Sequence, residues 1–195
     1  MALAGDYKVL KSRAELALLG RVFTGNMAAA GAVIPIYSNT TQQFGLWNPV
    51  GSGRVAEIVS LGLGSYIDTT GAAGGYVLGV LKNAPAQLAT GAAITAFTET
   101  TPENALPGAG ETNKVKFAQG ATITVTAPTI LRHLNLSQNA FTAAGTGQMP
   151  VKVGEATFPD RDLWVPPGVA IFLAGNIATL AKFAPTVTWA EHDWQ

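Results

Sequence analysis

The sequence predicts an all-β protein, an antiparallel β-sandwich or jelly roll with an N-terminal arm that contains a short helix. Three observations carry this. Roughly nine or ten short runs rich in Thr and in β-branched or aromatic residues follow one another at fairly regular spacing, separated by Gly, Pro and Asn. Several alternate apolar and small or polar residues with the period of two expected of a half-buried strand. No stretch repeats at a fixed interval, which argues against solenoids and propellers.

The domain plan has an arm over residues 1–28 and a sandwich over 29–195, with a long excursion at about 83–119. In the arm, Ser12-Arg-Ala-Glu15 has the form of a capping box, and Gly20 can close the helix that follows, at about residues 13–19. A helix this short is marginal alone in water and needs something to pack on. Strands are expected at 32–38, 44–49, 54–66, 76–81, 121–128, 129–136, 151–158, 168–174 and 182–189. Within 54–66, Val55, Val59, Leu61 and Leu63 are expected on one face. Asn48-Pro49 with Gly51 and Gly53 marks a turn. The excursion carries Pro85, Pro102 and Pro107, with a further strand at Ile94–Phe97. Long connections of this kind are functional or interfacial more often than not.

Between Asp162 and Lys182 there is no charge. A membrane span would need about twenty apolar residues. Pro166-Pro167-Gly168 at one end and Gly175-Asn176 in the middle argue instead for strand, tight hairpin and strand.

Composition narrows the functional classes. The 195 residues contain 48% hydrophobic side chains but only 12% charged ones, about half the usual ~25%. The formal net charge is +0, which gives no basic field for nucleic acid and no polybasic patch for a membrane. There is no Cys, so disulfides and thiolate metal sites are excluded. Charges at Asp6, Lys8, Lys11, Arg13 and Glu15 break the first residues, so no secretory leader is expected. A neutral, weakly charged surface resists association poorly, which suggests that partners cover much of it.

No catalytic pattern emerges, and no enzyme, cofactor or metal is expected. His133 reads as a packed or hydrogen-bonded strand residue, and His192 as part of a solvated tail. Glu57, Asp68, Glu99, Glu103, Glu111, Glu155, Asp160 and Asp162 read mostly as surface acids in turn-rich segments. Asp160 and Asp162 lack the remaining ligands of a calcium loop. The tryptophans Trp47, Trp164 and Trp189 lie in or beside strand patterns and suit core or interface packing. Trp194 is either tucked under the domain or inserted into a neighbour.

"GRVFTG" at 20–25, "LWNPVGSGRVAEIVSLGLG" at 46–64 and "DLWVPPGVAIFLAGNIATLAKFAPTVTWAEHDW" at 162–194 resemble segments of small structural proteins of tailed bacteriophages. The similar stretches lie within residues 20–67 and 160–194, less than half of the chain. The resemblance is to capsid decoration or cement proteins, or to head-fibre and tail attachment domains. It implies a jelly-roll sandwich and no catalytic residue. It further implies a homo-oligomer, a trimer, that docks on the major capsid protein of a virion assembled in a bacterial host cytoplasm. The candidate contact residues are Leu10, Leu16, Leu19, Arg21 and Phe23 in the arm, Ile94 and Phe97 in the excursion, and Trp194. A receptor- or carbohydrate-binding module is the other class considered. It would line a groove with aromatics such as Tyr66, Tyr76 or Trp164.

Overall fold

The computed structural model describes residues 11–28, 31–65, 70–71, 73–82, 94–108, 110–125, 129–138, 141–142, 151–152, 155–158, 162–178 and 182–194. Over the described residues it is an all-β antiparallel sandwich of two sheets with one short helix.

The helix, α1 (Arg13–Leu18), begins as the sequence requires. The Ser12 side chain accepts from the Glu15 backbone N–H, and the Glu15 carboxylate accepts from the Ser12 N–H. It ends in a paired closure in which Gly20 N–H donates to Ala17 O and Arg21 N–H to Leu16 O. Gly20 sits at φ 66°, and a β-carbon there would stand 2.2 Å from the Gly110 Cα. Gly20→Ala is therefore expected to cost more than the ~1–2 kcal/mol of a left-handed alanine, because backbone must also move. A urea titration of the variant measures it.

The first sheet contains β1 (Val22–Asn26), β2 (Ala32–Val33), β4 (Arg54–Ser65), β8 (Glu103–Asn104), β13 (Glu155–Thr157), β14 (Trp164–Val165) and β16 (Lys182–Asp193). The second contains β3 (Thr41–Asn48), β6 (Gly74–Leu81), β7 (Ile94–Phe97), β9 (Lys116–Val125), β10 (Thr129–Gln138), β12 (Val151–Lys152) and β15 (Val169–Gly175). β5 (Thr70–Gly71) pairs separately with β11 (Phe141–Thr142). The pairing is nested. β1 lies beside β16, β16 beside β4, and β4 beside β13 and β14. In the other sheet β3 lies beside β15, β15 beside β6, and β6 beside β10. The β7–β9 pair is added on the far side of β3.

The inner faces enclose one core that includes Phe23, Phe44, Ile58, Leu78, Ile171 and Trp189. Phe117 stands edge-on to Phe44 with ring centroids 5.2 Å apart, and Trp189 lies 5.6 Å from Phe23. A second cluster contains Trp47, Leu81, Ile94, Phe97, Ala118, Ala170 and Phe172. Ile171 and Leu173 thus enter one core while Ala170 and Phe172 enter the other. This accounts for the missing charges around β15, a strand buried on both faces.

The expected tight hairpin between residues 169–174 and 177–183 does not form, because β15 has β3 on one side and β6 on the other. β15 and β16 lie in different sheets, so the Gly175-Asn176 turn leads across the sandwich. Asn176 is held by β6 instead: its N–H donates to Gly75 O, and its side-chain Oδ1 accepts from Gly75 N–H.

The expected face of β4 is also corrected. Ser60 is opposite Thr188 and Ile58 is opposite Trp189, which leaves Val59 as the extra residue of a bulge. The parity of the strand switches there. Ala56 and Ile58 share the core with Leu61 and Leu63, while Val59 is only half-buried. The edge partner changes at the same point, from β13 at Ser60 to β14 at Glu57.

Candidate functional site

The start of β4, the end of β16, α1 and the loop before β9 meet at one end of the sandwich. Two layers of polar side chains fasten them. On the outer face of the first sheet, Glu57 is fully buried beneath α1. Its Oε1 accepts from Arg13 Nε at 2.7 Å, and its Oε2 lies 2.8 Å from His192 Nε2. Arg13 also donates to Phe158 O at 2.6 Å. The Trp164 ring covers His192 at a centroid distance of 5.2 Å. The carboxylate is thus satisfied on both oxygens, the condition for keeping such a charge out of water.

On the inner face stands Glu191, also buried. It accepts from the backbone N–H groups of Lys114 and Val115 and from Trp189 Nε1, at 3.0 to 3.2 Å. Adjacent strand positions point to opposite faces, which explains why Glu191 and His192 enter different layers. Burial pushes the Glu191 carboxyl above its ordinary value, against the lowering effect of these donors. With the folded value raised, Glu191 favours folding most in acid, below the ordinary Glu range. That contribution is lost as pH rises through the raised value. The stability of wild type relative to Glu191→Gln is expected to fall as pH rises above the ordinary Glu range, as read by urea midpoints at each pH.

Above these lies a ring of alternating charge. Arg21 pairs with Glu111 at 2.8 Å and with Asp193 at 3.1 Å. Arg54 pairs with the same Glu111 at 3.0 Å and with the same Asp193. The hydrogen bond from Arg21 holds the Glu111 carboxyl below its ordinary range. The ring joins the starts of β1 and β4 to the end of β16. Beside it, Trp194 N–H donates to Gly53 O in the β3–β4 turn.

The candidate contact residues separate into two groups. Leu16, Phe23, Ile94 and Phe97 are buried within the chain, the last two in the second cluster. They are turned inward as core residues, so no neighbour can reach them without unfolding. Leu10 lies outside the described residues. Leu19 and Trp194 are exposed, Trp194 by 51%, and Arg21 belongs to the charge ring. Of the helix leucines expected to face either this domain or a neighbour, Leu16 faces the domain and Leu18 is the most exposed large apolar side chain described at 77%; sequence reasoning passed over Val50, exposed in the β3–β4 turn.

Other expectations are reversed. His192 is a buried strand residue rather than a solvated tail, and Glu57 is not a surface acid. His133 is, as expected, a strand residue on β10, and it is exposed. Asp162 pairs with Arg132 at 2.7 Å, and Asp160 lies outside the described residues. Among the described residues no group of three or more His, Cys, Asp or Glu side chains is arranged to hold a metal ion. No described helix is long and apolar enough to cross a membrane. No family model, curated protein or solved structure matches the chain.

Proposed function

We propose that this chain is a structural protein of a bacteriophage virion, of the capsid decoration or cement type, that works by non-catalytic contact and oligomerises. The observation that carries this reading is the nested strand order: β1-β16-β4-β13 against β3-β15-β6-β10. We read that order as the winding of a jelly roll, an architecture shared by viral coat domains and lectins. The weakly charged composition and the resemblance of the segments at 20–67 and 160–194 to phage structural proteins point to the first of these.

Of the aromatics named for the carbohydrate-binding alternative, Tyr66 lies outside the described residues and the other two are engaged within the chain. Tyr76 is 3% exposed and packs edge-on to Phe183, while Trp164 is committed to His192. A sugar platform needs open rings. The buried acids of the site also act as fasteners: Glu57 ties α1 to the sheet, and Glu191 ties the loop before β9 to β16.

The test is mass spectrometry of particles purified from cells infected by a phage that carries this reading frame. The expected result is the chain as an abundant particle component that remains after density-gradient purification. Its absence from purified particles contradicts the proposal.

A further inference from the structure

The Glu57 carboxylate is shared between two bases on different elements. Its Oε1 accepts from Arg13 on α1, and its Oε2 lies against His192 on β16; Glu57 and His192 are both buried. A carboxylate paired with arginine only accepts, so His192 Nε2 carries a hydrogen and a further proton adds at Nδ1. With the imidazole neutral the group is balanced, one cation against one anion. With the imidazole protonated, two cations share one buried carboxylate and one positive charge is left over.

The other charges at this end are already committed. The charged groups that meet His192 among the described residues are Glu57 from β4 and, through it, Arg13 from α1, while β14 contributes the uncharged Trp164 ring. On β16 itself, Asp193 is tied to Arg21 and Arg54, and Glu191 points into the inner layer. Asp162, ahead of β14, is paired with Arg132.

Arg13 is the member of the group that can leave at least cost. It is the first residue of a six-residue helix in which Leu16 is the buried residue, and its side chain is 31% exposed. Glu57 and His192 sit in paired strands of the first sheet. A helix this short has little stability beyond what its packing supplies. Lifting α1 removes a like charge from beside the imidazole and admits water to it, and both changes favour the protonated form. Proton uptake and opening therefore promote each other, whatever the proton affinity of His192 in the closed state. His192 binds its proton more tightly in the open state, so opening grows as pH falls through the open-state value and levels off below the closed-state value.

We propose that α1 is a latch released by acid: proton uptake at His192 frees Arg13 from Glu57 and lets the helix lift from the first sheet, uncovering Leu16 and the Glu57–His192 pair. The device is local, since the strands that carry Glu57 and His192 stay paired. It does not depend on the functional reading above.

The experiment is hydrogen exchange in the full chain, resolved by residue and corrected for the intrinsic rate at each pH, from about pH 7.5 to about pH 5. In wild type the amides of Leu16, Leu19 and Gly20, which close α1, are expected to open about tenfold more often at the acid end, the effect of a one-unit difference in proton affinity between the two states. The amides of β4 and β16 should stay protected, and His192→Gln should abolish the pH dependence. The imidazole C–H signals supply a second measurement, which decides the matter if His192→Gln fails to fold. The chain has two histidines, and the exposed His133 serves as the reference. The titration midpoint of His192 is expected to rise in Arg13→Met while that of His133 stays in place. Exchange of α1 that is flat with pH in wild type, or equally acid-dependent in His192→Gln, overturns the proposal. So does loss of protection in β4 together with α1, or a His192 midpoint that does not rise in Arg13→Met.

Discussion

Deleting residues 1–28 is expected to leave no folded protein. The segment looks in sequence like an arm ahead of a domain, yet it supplies a strand between two others. β1 pairs with β16 through five positions, from Val22 opposite Ala190 to Asn26 opposite Thr186, and with β8 on its other side. Phe23 packs on Trp189, and Leu16 is completely buried. Deletion would open the main core along Trp189 and strip the partner from one side of β16. Burial of two such large side chains alone is worth about 3–6 kcal/mol, a large part of the ~5–15 kcal/mol by which a domain is stable. The unpaired edge of β16 would add an aggregation hazard. Circular dichroism and a thermal scan of the shortened chain should show no cooperative transition.

Arg13→Ala is expected to destabilise the full chain by about 2–3 kcal/mol at neutral pH. The variant removes the Arg13 guanidinium from the buried Glu57 carboxylate while the His192 contact stays in place. Breaking one side of a buried pair costs about 3–5 kcal/mol, and the partial exposure of Arg13, 31%, lets water soften the loss. The cost should be mostly the uncompensated charge rather than the lost contact. The double variant Arg13→Ala/Glu57→Gln is therefore expected to recover more than half of it. Urea unfolding of the wild type, Arg13→Ala, Glu57→Gln and the double variant measures this as a double-mutant cycle. A double variant no better than Arg13→Ala would contradict the assignment of the cost to Glu57.

Local features were legible in the sequence because local chemistry fixes them. The capping box at Ser12 and Glu15, the Gly20 closure, the turn through Gly51 and Gly53, and the strands at β4 and β6 all follow from residues within a few positions of one another. What was not legible depends on distant partners. Glu57 and His192 are 135 residues apart, and nothing near either one announces the other. The Val59 bulge is set by pairing with β16, so the period of β4 read alone puts Val55 and Val59 on the face that Ala56 and Ile58 occupy. Gly175-Asn176 announces a turn but not the sheet to which the chain returns. Ile94 and Phe97 read as contact residues because the cover they form over Ala170 and Phe172 is itself a long-range arrangement. In α1 the leucines at 16, 18 and 19 cannot all face one way. Leu16 took the core, and Leu18 and Leu19 were left outside.

Hydrogen exchange at the backbone amides of residues 21–26 in the full chain tests most directly that this segment is a built-in strand. The expected result is protection equal to that of β4 and β16, with all three lost together in global unfolding. Fast exchange in residues 21–26 while β4 and β16 stay protected would make the segment a loose arm and contradict its place in the sandwich.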